Sequence, residues 1–298
     1  MIIKNFIKAA RLRTLPLSIS GIILGGFLAM SDGLFNSFIF SLALITTIGF
    51  QVISNFANDY GDGVKGTDAI RIGEERMVSS GKISPKQMKK AIVITVIITI
   101  IFALLLIYES FGLSNFGYSL LFFVLGIGSI VAAIKYTVGN LAYGYSGFGD
   151  LFVFIFFGLL SVLGSYFLFT KEIYFLLTLP AISIGLLSTA VLNLNNIRDY
   201  QNDKKTKKHT IVVKIGVKAA KRYHYCLLLF SFICSLSYVV LTFTKAVQFI
   251  FLLAYIPLVI HALFVYNNKQ EFRLDAELKK VALSTFLFSV LLGLGQVL

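Results

Sequence analysis

This sequence is short of charge and of cysteine. Asp, Glu, Lys and Arg make up 14% of its 298 residues, whereas a soluble domain typically carries about 25%. Apolar residues account for 57% of the chain and its mean hydropathy is +0.85, which indicates an integral membrane protein. Both cysteines, Cys226 and Cys234, lie in one apolar run. We therefore interpret them as buried thiols rather than as a disulfide or a metal site.

The sequence also lacks the motifs of nucleophilic catalysis and of nucleotide binding. It contains no nucleophile elbow, no Walker phosphate loop and no Cys/His pair. Its three histidines, His209, His224 and His261, are scattered along the chain, and we interpret them as interfacial or packing residues. A reaction that needs a nucleophile from the protein is therefore not expected.

The apolar residues fall into nine runs, each close to the roughly 20 residues that a membrane-spanning helix needs. The runs cover residues 15–31, 35–58, 90–108, 116–135, 148–169, 173–194, 222–243, 246–266 and 280–297. The longest loops have about 15–30 residues, too few for an independent core, and no cleavable signal peptide is expected. The sequence thus predicts an all-α polytopic membrane protein, a bundle of nine transmembrane helices that forms a single domain over residues 1–298.

Lysine and arginine are distributed unevenly over the predicted loops. Loops on the N-terminal side of the bundle carry 25 of the 27 basic residues, and only Lys171 and Lys245 fall on the other side. Because basic residues concentrate on the cytoplasmic side of membrane proteins, the N-terminus is predicted to be cytoplasmic. The same rule accounts for the net charge of +13 without a nucleic-acid partner.

Two polar stretches stand where apolar runs end. The first reads NFANDYGDGVKGTD at residues 55–68, and the second reads NLNNIRDYQNDKKTKKHT at residues 193–210. Each carries aspartates beside asparagines, although a carboxylate costs about 2.5–3.5 kcal/mol at the centre of a membrane helix. Such costly groups, repeated at two helix ends on the predicted cytoplasmic face, indicate a functional site.

The spacing of the acids predicts a metal site. If the helices continue, Asp59 and Asp62 share one helix face. Asp199 and Asp203, four residues apart, share another. Two converging carboxylate pairs suit Mg²⁺. The surrounding basic residues are Lys65, Arg71, Arg76, Arg198, Lys204, Lys205, Lys207 and Lys208.

A metal and cations together bind a phosphate ester. At one end of an apolar bundle, the fitting substrate is a diphosphate that carries a hydrocarbon tail. An allylic diphosphate ionises to a carbocation without a nucleophile from the protein, which agrees with the missing motifs. The predicted active site therefore faces the cytoplasm and handles an amphiphilic substrate.

The two stretches resemble the paired aspartate-rich motifs of the UbiA-type membrane prenyltransferases. The first is most similar to NDxxDxxxGxD of the 1,4-dihydroxy-2-naphthoate polyprenyltransferases (the MenA branch), through Asn58, Asp59, Asp62, Gly66 and Asp68. The second resembles NNxRDxxxDxxxGKxT through Asn195, Asn196, Arg198, Asp199, Asp203, Lys208 and Thr210. It departs from that pattern at Lys207, where the family has glycine. Segments 11–21 and 136–158 are also similar to this branch.

The resemblance implies that a polyprenyl chain passes from an allylic diphosphate to 1,4-dihydroxy-2-naphthoate, with release of diphosphate and CO₂, to give demethylmenaquinone. By the same resemblance, Mg²⁺ is held by the catalytic residues Asp59, Asp62, Asp199 and Asp203. The supporting asparagines are Asn55, Asn58 and Asn196. The diphosphate contacts are Lys65, Arg76, Arg198 and Lys208. The residues near the acceptor ring are Tyr136, Tyr145 and Asp150. Asp68 is either a further substrate-binding residue or a surface partner of Lys65 or Arg71.

Two alternatives stay open at this point. One is a UbiA-type enzyme that acts on homogentisate or 4-hydroxybenzoate. The other is a cation-coupled transporter, which the sequence disfavours because both acidic stretches lie at one face and the third, seventh and ninth runs carry no acid. Asp275 and Glu277 are assigned to a solvated loop, and the acceptor carboxylate is expected to meet Lys135 or Arg198.

The resemblance and the membrane spans also predict the partners and the location of the protein. The partners are the two substrates and the lipid bilayer of the bacterial cytoplasmic (inner) membrane. Neither a nucleic acid nor an obligate protein partner is expected.

Overall fold

The computed structural model describes residues 2–67, 74–139 and 142–298. Every regular element in these ranges is helical, and nine helical stretches there are long and apolar enough to cross a membrane. They run over Ile3–Ser31, Ser37–Lys65, Pro85–Phe111, Phe116–Lys135, Gly149–Thr170, Phe175–Arg198, Ile211–Leu241, Ala246–Asn267 and Glu271–Val297. The predicted all-α fold with nine transmembrane helices is therefore confirmed.

Twelve α-helices build these spans and their connections in the described part of the chain. They are α1 (Ile2–Ala10), α2 (Leu15–Ser31), α3 (Ser37–Lys65), α4 (Pro85–Phe111), α5 (Phe116–Lys135), α6 (Gly149–Val153), α7 (Ser161–Thr170), α8 (Thr178–Arg198), α9 (Tyr200–Lys205), α10 (Ile211–Leu241), α11 (Tyr255–Asn267) and α12 (Leu274–Val297). A π-helical segment, Phe154–Leu160, joins α6 to α7.

Local sequence signals fix the ends of the helix that carries the first acidic stretch. The side chain of Asn36 accepts hydrogen bonds from two amides in the first turn of α3. Gly66 ends the helix in the left-handed conformation, with φ 72°. Helix α3 therefore continues to Lys65, well past the predicted end of the run at residue 58, and its last turns contain Asp59 and Asp62.

The second acidic stretch is broken rather than continuous. Helix α8 ends at Arg198, and Asp199 adopts a non-helical conformation with φ −90° and ψ 3° before α9 begins at Tyr200. The amide of Asp203 still donates to the carbonyl of Asp199 at 2.8 Å. The expected helix face shared by these two aspartates is therefore interrupted by a bend.

The spans close into a bundle because α12 packs against both α2 and α8. Helices α3, α4 and α5 pack against one another on the other side. Small residues allow close approach: a Cβ atom on Gly158 would lie 2.5 Å from the Cα of Gly185 in α8. The π-helical segment is thereby pressed against α8.

A separate small apolar cluster lies beneath the segment that follows the first acidic stretch. Its buried members include Ala9 of α1, Phe56 of α3, Met77 and Met88. Because these side chains exclude water, the segment around Met77 is fixed on the ends of α1 and α3.

The prediction that Asp275 and Glu277 lie in a solvated loop is wrong. Helix α12 begins at Leu274, before the predicted residue 280, so Glu277 lies inside it and is 1% exposed rather than solvated. Nε2 of His224 lies 2.9 Å from Nε2 of His261, whose Nδ1 lies 2.6 Å from Glu277. The two histidines are thus paired, and the last span does carry a buried acid. Asp275 is half-buried and forms ion pairs, as described below.

Candidate active site

A cavity of about 420 Å³ lies inside the bundle, between α2, α3, α4, α5, α7, α8, α12 and the π-helical segment. Its aromatic lining consists of Phe50, Phe122, Tyr136, Tyr143, Phe152, Phe156 and Phe157. Its charged and amide lining, which we call the polar mouth, consists of Arg11, Arg13, Gln51, Asn55, Asn58, Asp62, Glu74, Arg76, Asn195, Lys208 and Lys279. The cavity therefore joins an apolar chamber to a charged end, as an amphiphilic ligand requires.

Asp62 is the carboxylate of the first acidic stretch that lines the cavity. Tyr145 donates its hydroxyl proton to Oδ1 at 2.6 Å, and Arg76 donates from Nη2 to Oδ2 at 3.3 Å. The side-chain nitrogens of Lys65 and Lys208 lie 4.2 Å and 5.3 Å from the centre of the Tyr145 ring. Asp62 thus stands among three cations, and each of its oxygens keeps a lone pair for a further partner.

The second acidic stretch meets the first at this point. Asn202 donates to the backbone carbonyl of Thr67 at 2.9 Å, and the amide of His209 donates to the carbonyl of Tyr145 at 3.0 Å. Residues more than 130 positions apart therefore form one site, as the two converging motifs predicted.

Asp59 has a different environment from Asp62. Its Oδ1 accepts from the amide of Val78 at 2.9 Å and its Oδ2 accepts from the amide of Met77 at 3.0 Å. The side chain is 1% exposed and is not among the residues that line the cavity in the described part of the chain. Asp59 therefore holds the segment that presents the neighbouring Arg76 to Asp62.

Arg198 is occupied by carboxylates of the protein itself. Its Nε and Nη2 donate to the two oxygens of Asp199 at 2.7 and 2.8 Å, and its Nη1 donates to Asp275 at 2.5 Å. The Arg198 side chain is only 1% exposed. In this geometry Arg198 binds carboxylates of the protein, and it is not among the described residues that line the cavity. Asp199, Asp203 and Asn196 are buried nearby in the same stretch, behind the described residues that line the cavity.

The other predicted residues divide between the cavity and the packing around it. Asn55 and Asn58 line the cavity; Asn55 also donates to the carbonyl of Ala10 at 2.8 Å. Tyr136 lines the aromatic part, as predicted for a residue near the acceptor ring. Asp68 lies outside the described residues.

Three residues with a predicted role near the acceptor, Tyr145, Asp150 and Lys135, are not among the described residues that line the cavity. Tyr145 lies on Asp62 rather than in the aromatic chamber. Asp150 is buried in α6, and neither it nor Lys135 contributes to the cavity wall in the described part of the chain. The physical reason is that each side chain is directed by its own helix and loop, which sequence spacing does not reveal across a bend.

The cavity residues that sequence analysis did not identify include Arg11, Arg13, Tyr143 and Lys279. Arg11 ends α1 in the left-handed conformation, with φ 50°, and Arg13 lies 2.9 Å from Glu74. The sequence pattern identifies both arginines only as basic residues on the predicted cytoplasmic side, although they fall in segment 11–21, which resembles the family.

Tyr143 is held rigidly at the aromatic wall. Its ring stacks on Phe152 with a centroid distance of 3.9 Å, and its hydroxyl donates to the carbonyl of Ala132 at 2.9 Å. Burial, with a smaller contribution from Tyr136, raises the pKa of Tyr143 well above its usual value. The phenol therefore stays neutral at physiological pH and acts as a wall rather than as a base.

The oxygen donors of the polar mouth fit Mg²⁺. Asp62 faces the cavity with free lone pairs, and Asn58 lines the same region. In the described ranges, no three His, Cys, Asp or Glu side chains form a ready-made metal cluster. Mg²⁺ does not need one, because it keeps several waters and is usually bound through one or two carboxylates and the phosphates of a substrate. The donor set thus suits a metal that arrives with a diphosphate.

Comparison with known proteins finds a matching family and similar sequences. The sequence model of the UbiA prenyltransferase family matches residues 19–290. A 1,4-dihydroxy-2-naphthoate octaprenyltransferase from Haemophilus influenzae is 41% identical over 98% of this chain and 96% of its own length. A protein of the same name from Escherichia coli is 41% identical over 97% of this chain and 94% of its own.

Solved structures share the fold. A UbiA homolog from Archaeoglobus fulgidus, solved with GPP and Mg²⁺, superimposes with a TM-score of 0.68 at 12% identity and covers 98% of this chain and 99% of that one. A digeranylgeranylglyceryl phosphate synthase superimposes with a TM-score of 0.60 at 18% identity, over 99% of both chains. At such low identity these likenesses establish the helical architecture alone.

Proposed function

This chain belongs to the UbiA prenyltransferase family, and we propose that it transfers a polyprenyl chain from an allylic polyprenyl diphosphate to 1,4-dihydroxy-2-naphthoate, releasing diphosphate and CO₂ and giving demethylmenaquinol, the reduced form of demethylmenaquinone. The family predicted from the two motifs is confirmed by the match over residues 19–290. The names of the two relatives at 41% identity support this acceptor and a prenyl chain of eight units.

The proposal rests on one observation: the cavity has a charged end and an apolar interior. Asp62, Arg76 and Lys208 gather where the two acidic stretches meet, while the interior is lined by aromatic and aliphatic side chains. A prenyl diphosphate fits with its head at the polar mouth and its tail in the apolar chamber. A transporter for a small cation would have no use for so large an apolar cavity.

Cations in the polar mouth and beside it bind and neutralise the diphosphate. We assign a direct charge contact to Arg76, Lys65 and Lys208, which surround Asp62 and Tyr145. Asp62, together with Asp199 and Asp203, would hold Mg²⁺, which when bound stabilises the negative charge of a departing diphosphate. Tyr145 orients Asp62 through its 2.6 Å hydrogen bond.

The aromatic wall protects the cation that forms when the allylic C–O bond breaks. Tyr143, Phe152 and Tyr136 present ring faces and edges without a free basic group, so they can stabilise a cation without capturing it. The acceptor ring supplies the electron pair for the new C–C bond. The exchange balances without a proton, because diphosphate takes the C–O pair and CO₂ leaves its C–C pair behind.

An acceptor assay tests the proposal. Purified protein with Mg²⁺ and octaprenyl diphosphate should prenylate 1,4-dihydroxy-2-naphthoate and release CO₂. Holding the ring carbon of the correct acceptor against the cleaving C–O bond can lower the activation free energy by on the order of 7–11 kcal/mol. Homogentisate and 4-hydroxybenzoate should be poor acceptors. Mass spectrometry of the lipid extract and trapping of CO₂ provide the measurement. A product that retains its carboxylate, or equal turnover of 4-hydroxybenzoate, would move this chain to another branch of the family.

We also propose that the polar mouth faces the cytoplasm of a bacterial inner membrane, because 25 of the 27 basic residues belong to that face. In a variant with both native cysteines replaced by serine, Ser79→Cys should resist an impermeant thiol reagent applied to intact cells. Ser79 is exposed on the segment after α3. Ser114→Cys, exposed on the opposite face, is the matched control and should react. The reverse labelling pattern would invert the topology.

A further inference from the structure

Five charged side chains form an unbroken series beside the cavity, in the order Glu74, Arg13, Asp275, Arg198, Asp199. Arg13 lies 2.9 Å from Glu74 and 3.6 Å from Asp275. Asp275 accepts from Arg198 at 2.5 Å, and Arg198 binds Asp199 through two hydrogen bonds. The series joins the N-terminal segment, the segment after α3, the start of α12 and the end of α8.

We propose that Asp275 is a positioning residue, which acts through Arg198 to set the orientation and the effective charge of Asp199. Asp275 itself belongs to α12, far along the chain from both acidic motifs. The inference rests on the proposed function in one respect, namely that Asp199 takes part in holding the metal.

Because Arg198 and Asp199 are buried, their charges interact strongly with each other. The side chains of Arg198 and Asp199 are 1% and 6% exposed, so water contributes little to solvating either charge. A buried guanidinium needs its N–H groups satisfied, and this one divides them between two carboxylates and the side-chain oxygen of Asn195, at 2.7 Å. Its three partners leave the guanidinium little freedom to rotate.

Removing one of the two carboxylates that share Arg198 changes the charge that the other carboxylate can offer a metal. With Asp275 present, one arginine is shared by two carboxylates, and Asp199 keeps part of its negative charge for a cation. Without the carboxylate of Asp275, the whole positive charge of Arg198 falls on Asp199, since the attraction between charges is strong where water is excluded. Asp199 should then hold a divalent cation less tightly. Partners of this kind typically affect metal affinity by about 10–100-fold.

The same carboxylate reaches the cavity through Arg13, which lines the polar mouth. Asp275 therefore also limits how far Arg13 can move toward a bound anion. Sharing Asp275 between Arg13 and Arg198 ties the N-terminal segment to the second motif.

Mn²⁺ binding measured by electron paramagnetic resonance, with geranyl diphosphate present, tests this role without turnover. Asp275→Asn should bind Mn²⁺ about 10–100-fold more weakly than the wild type. In the acceptor assay it should need correspondingly more Mg²⁺ for half-maximal rate, while kcat at saturating Mg²⁺ changes far less. Glu75→Gln is the matched control: Glu75 pairs with Lys82 at 2.6 Å on the exposed surface and should change neither quantity.

A double-mutant cycle separates this inference from the proposed function. If Asp275 acts through Asp199, Asp275→Asn should cause no further loss of Mn²⁺ affinity in an Asp199→Asn background. An equal loss in both backgrounds overturns the inference. Wild-type Mn²⁺ affinity in Asp199→Asn alone would instead count against the proposed metal role of Asp199.

A second variant covers the case in which Asp275→Asn does not fold. Asp275→Glu keeps the charge but displaces the carboxylate by one methylene group, so it should fold and lose Mn²⁺ affinity by a smaller factor. Wild-type affinity in Asp275→Glu, or in Asp275→Asn where that variant folds, would mean that Asp275 is merely structural.

Discussion

Replacing Asp62 with asparagine is expected to lower turnover by about 10³-fold while the protein still folds and inserts. The amide keeps the volume of the side chain and can still accept the hydroxyl of Tyr145, but it removes the negative charge that faces the cavity among Arg76, Lys65 and Lys208. A factor of 10³ corresponds to about 4 kcal/mol of transition-state stabilisation. Initial rates with octaprenyl diphosphate and the naphthoate acceptor provide the measurement.

The same assay carries its own controls. Asp32→Asn changes an aspartate at the opposite end of the bundle, where Asp32 accepts from Tyr166 at 2.5 Å, and should leave turnover unchanged. The double variant Asp62→Asn, Asp199→Asn should be little slower than either single variant, because groups that act as a unit lose their effect together. EDTA should abolish activity and Mg²⁺ should restore it. Full activity in EDTA would overturn the metal assignment.

Asp59→Asn is expected to lower activity about 10²-fold for a different reason, through the segment that Asp59 holds. An amide side chain has one acceptor oxygen, so only one of the two amides at Met77 and Val78 keeps its partner. A buried amide without a partner costs about 1–3 kcal/mol. The segment should loosen, and Arg76 should leave its position beside Asp62.

Stability and proteolysis distinguish this role from metal binding. Asp59→Asn should unfold at a lower temperature in detergent than Asp62→Asn, and trypsin should cleave after Arg76, which is only 6% exposed in the native protein. Normal melting and normal resistance at Arg76, combined with lost Mn²⁺ binding, would show that Asp59 is a metal ligand, as the motif predicted.

The sequence alone was sufficient for the features that depend on local pattern. Nine apolar runs predicted nine spanning helices, because the cost of exposing a backbone to lipid forces each run to satisfy its own hydrogen bonds. The two aspartate-rich stretches predicted the family and the meeting of both motifs at one end of the bundle.

Partners that are distant in the chain were decided only by the tertiary structure. Tyr145 and Asp62 are 83 residues apart, and Arg198 and Asp275 are 77 apart. No periodicity links such pairs, because their contact depends on how whole helices pack and where a bend such as that at Asp199 redirects a side chain. For this reason, the sequence spacing predicted that Asp59 and Asp62 face the same site. In the structure, Asp59 binds the backbone of the following segment, whereas Asp62 faces the cavity.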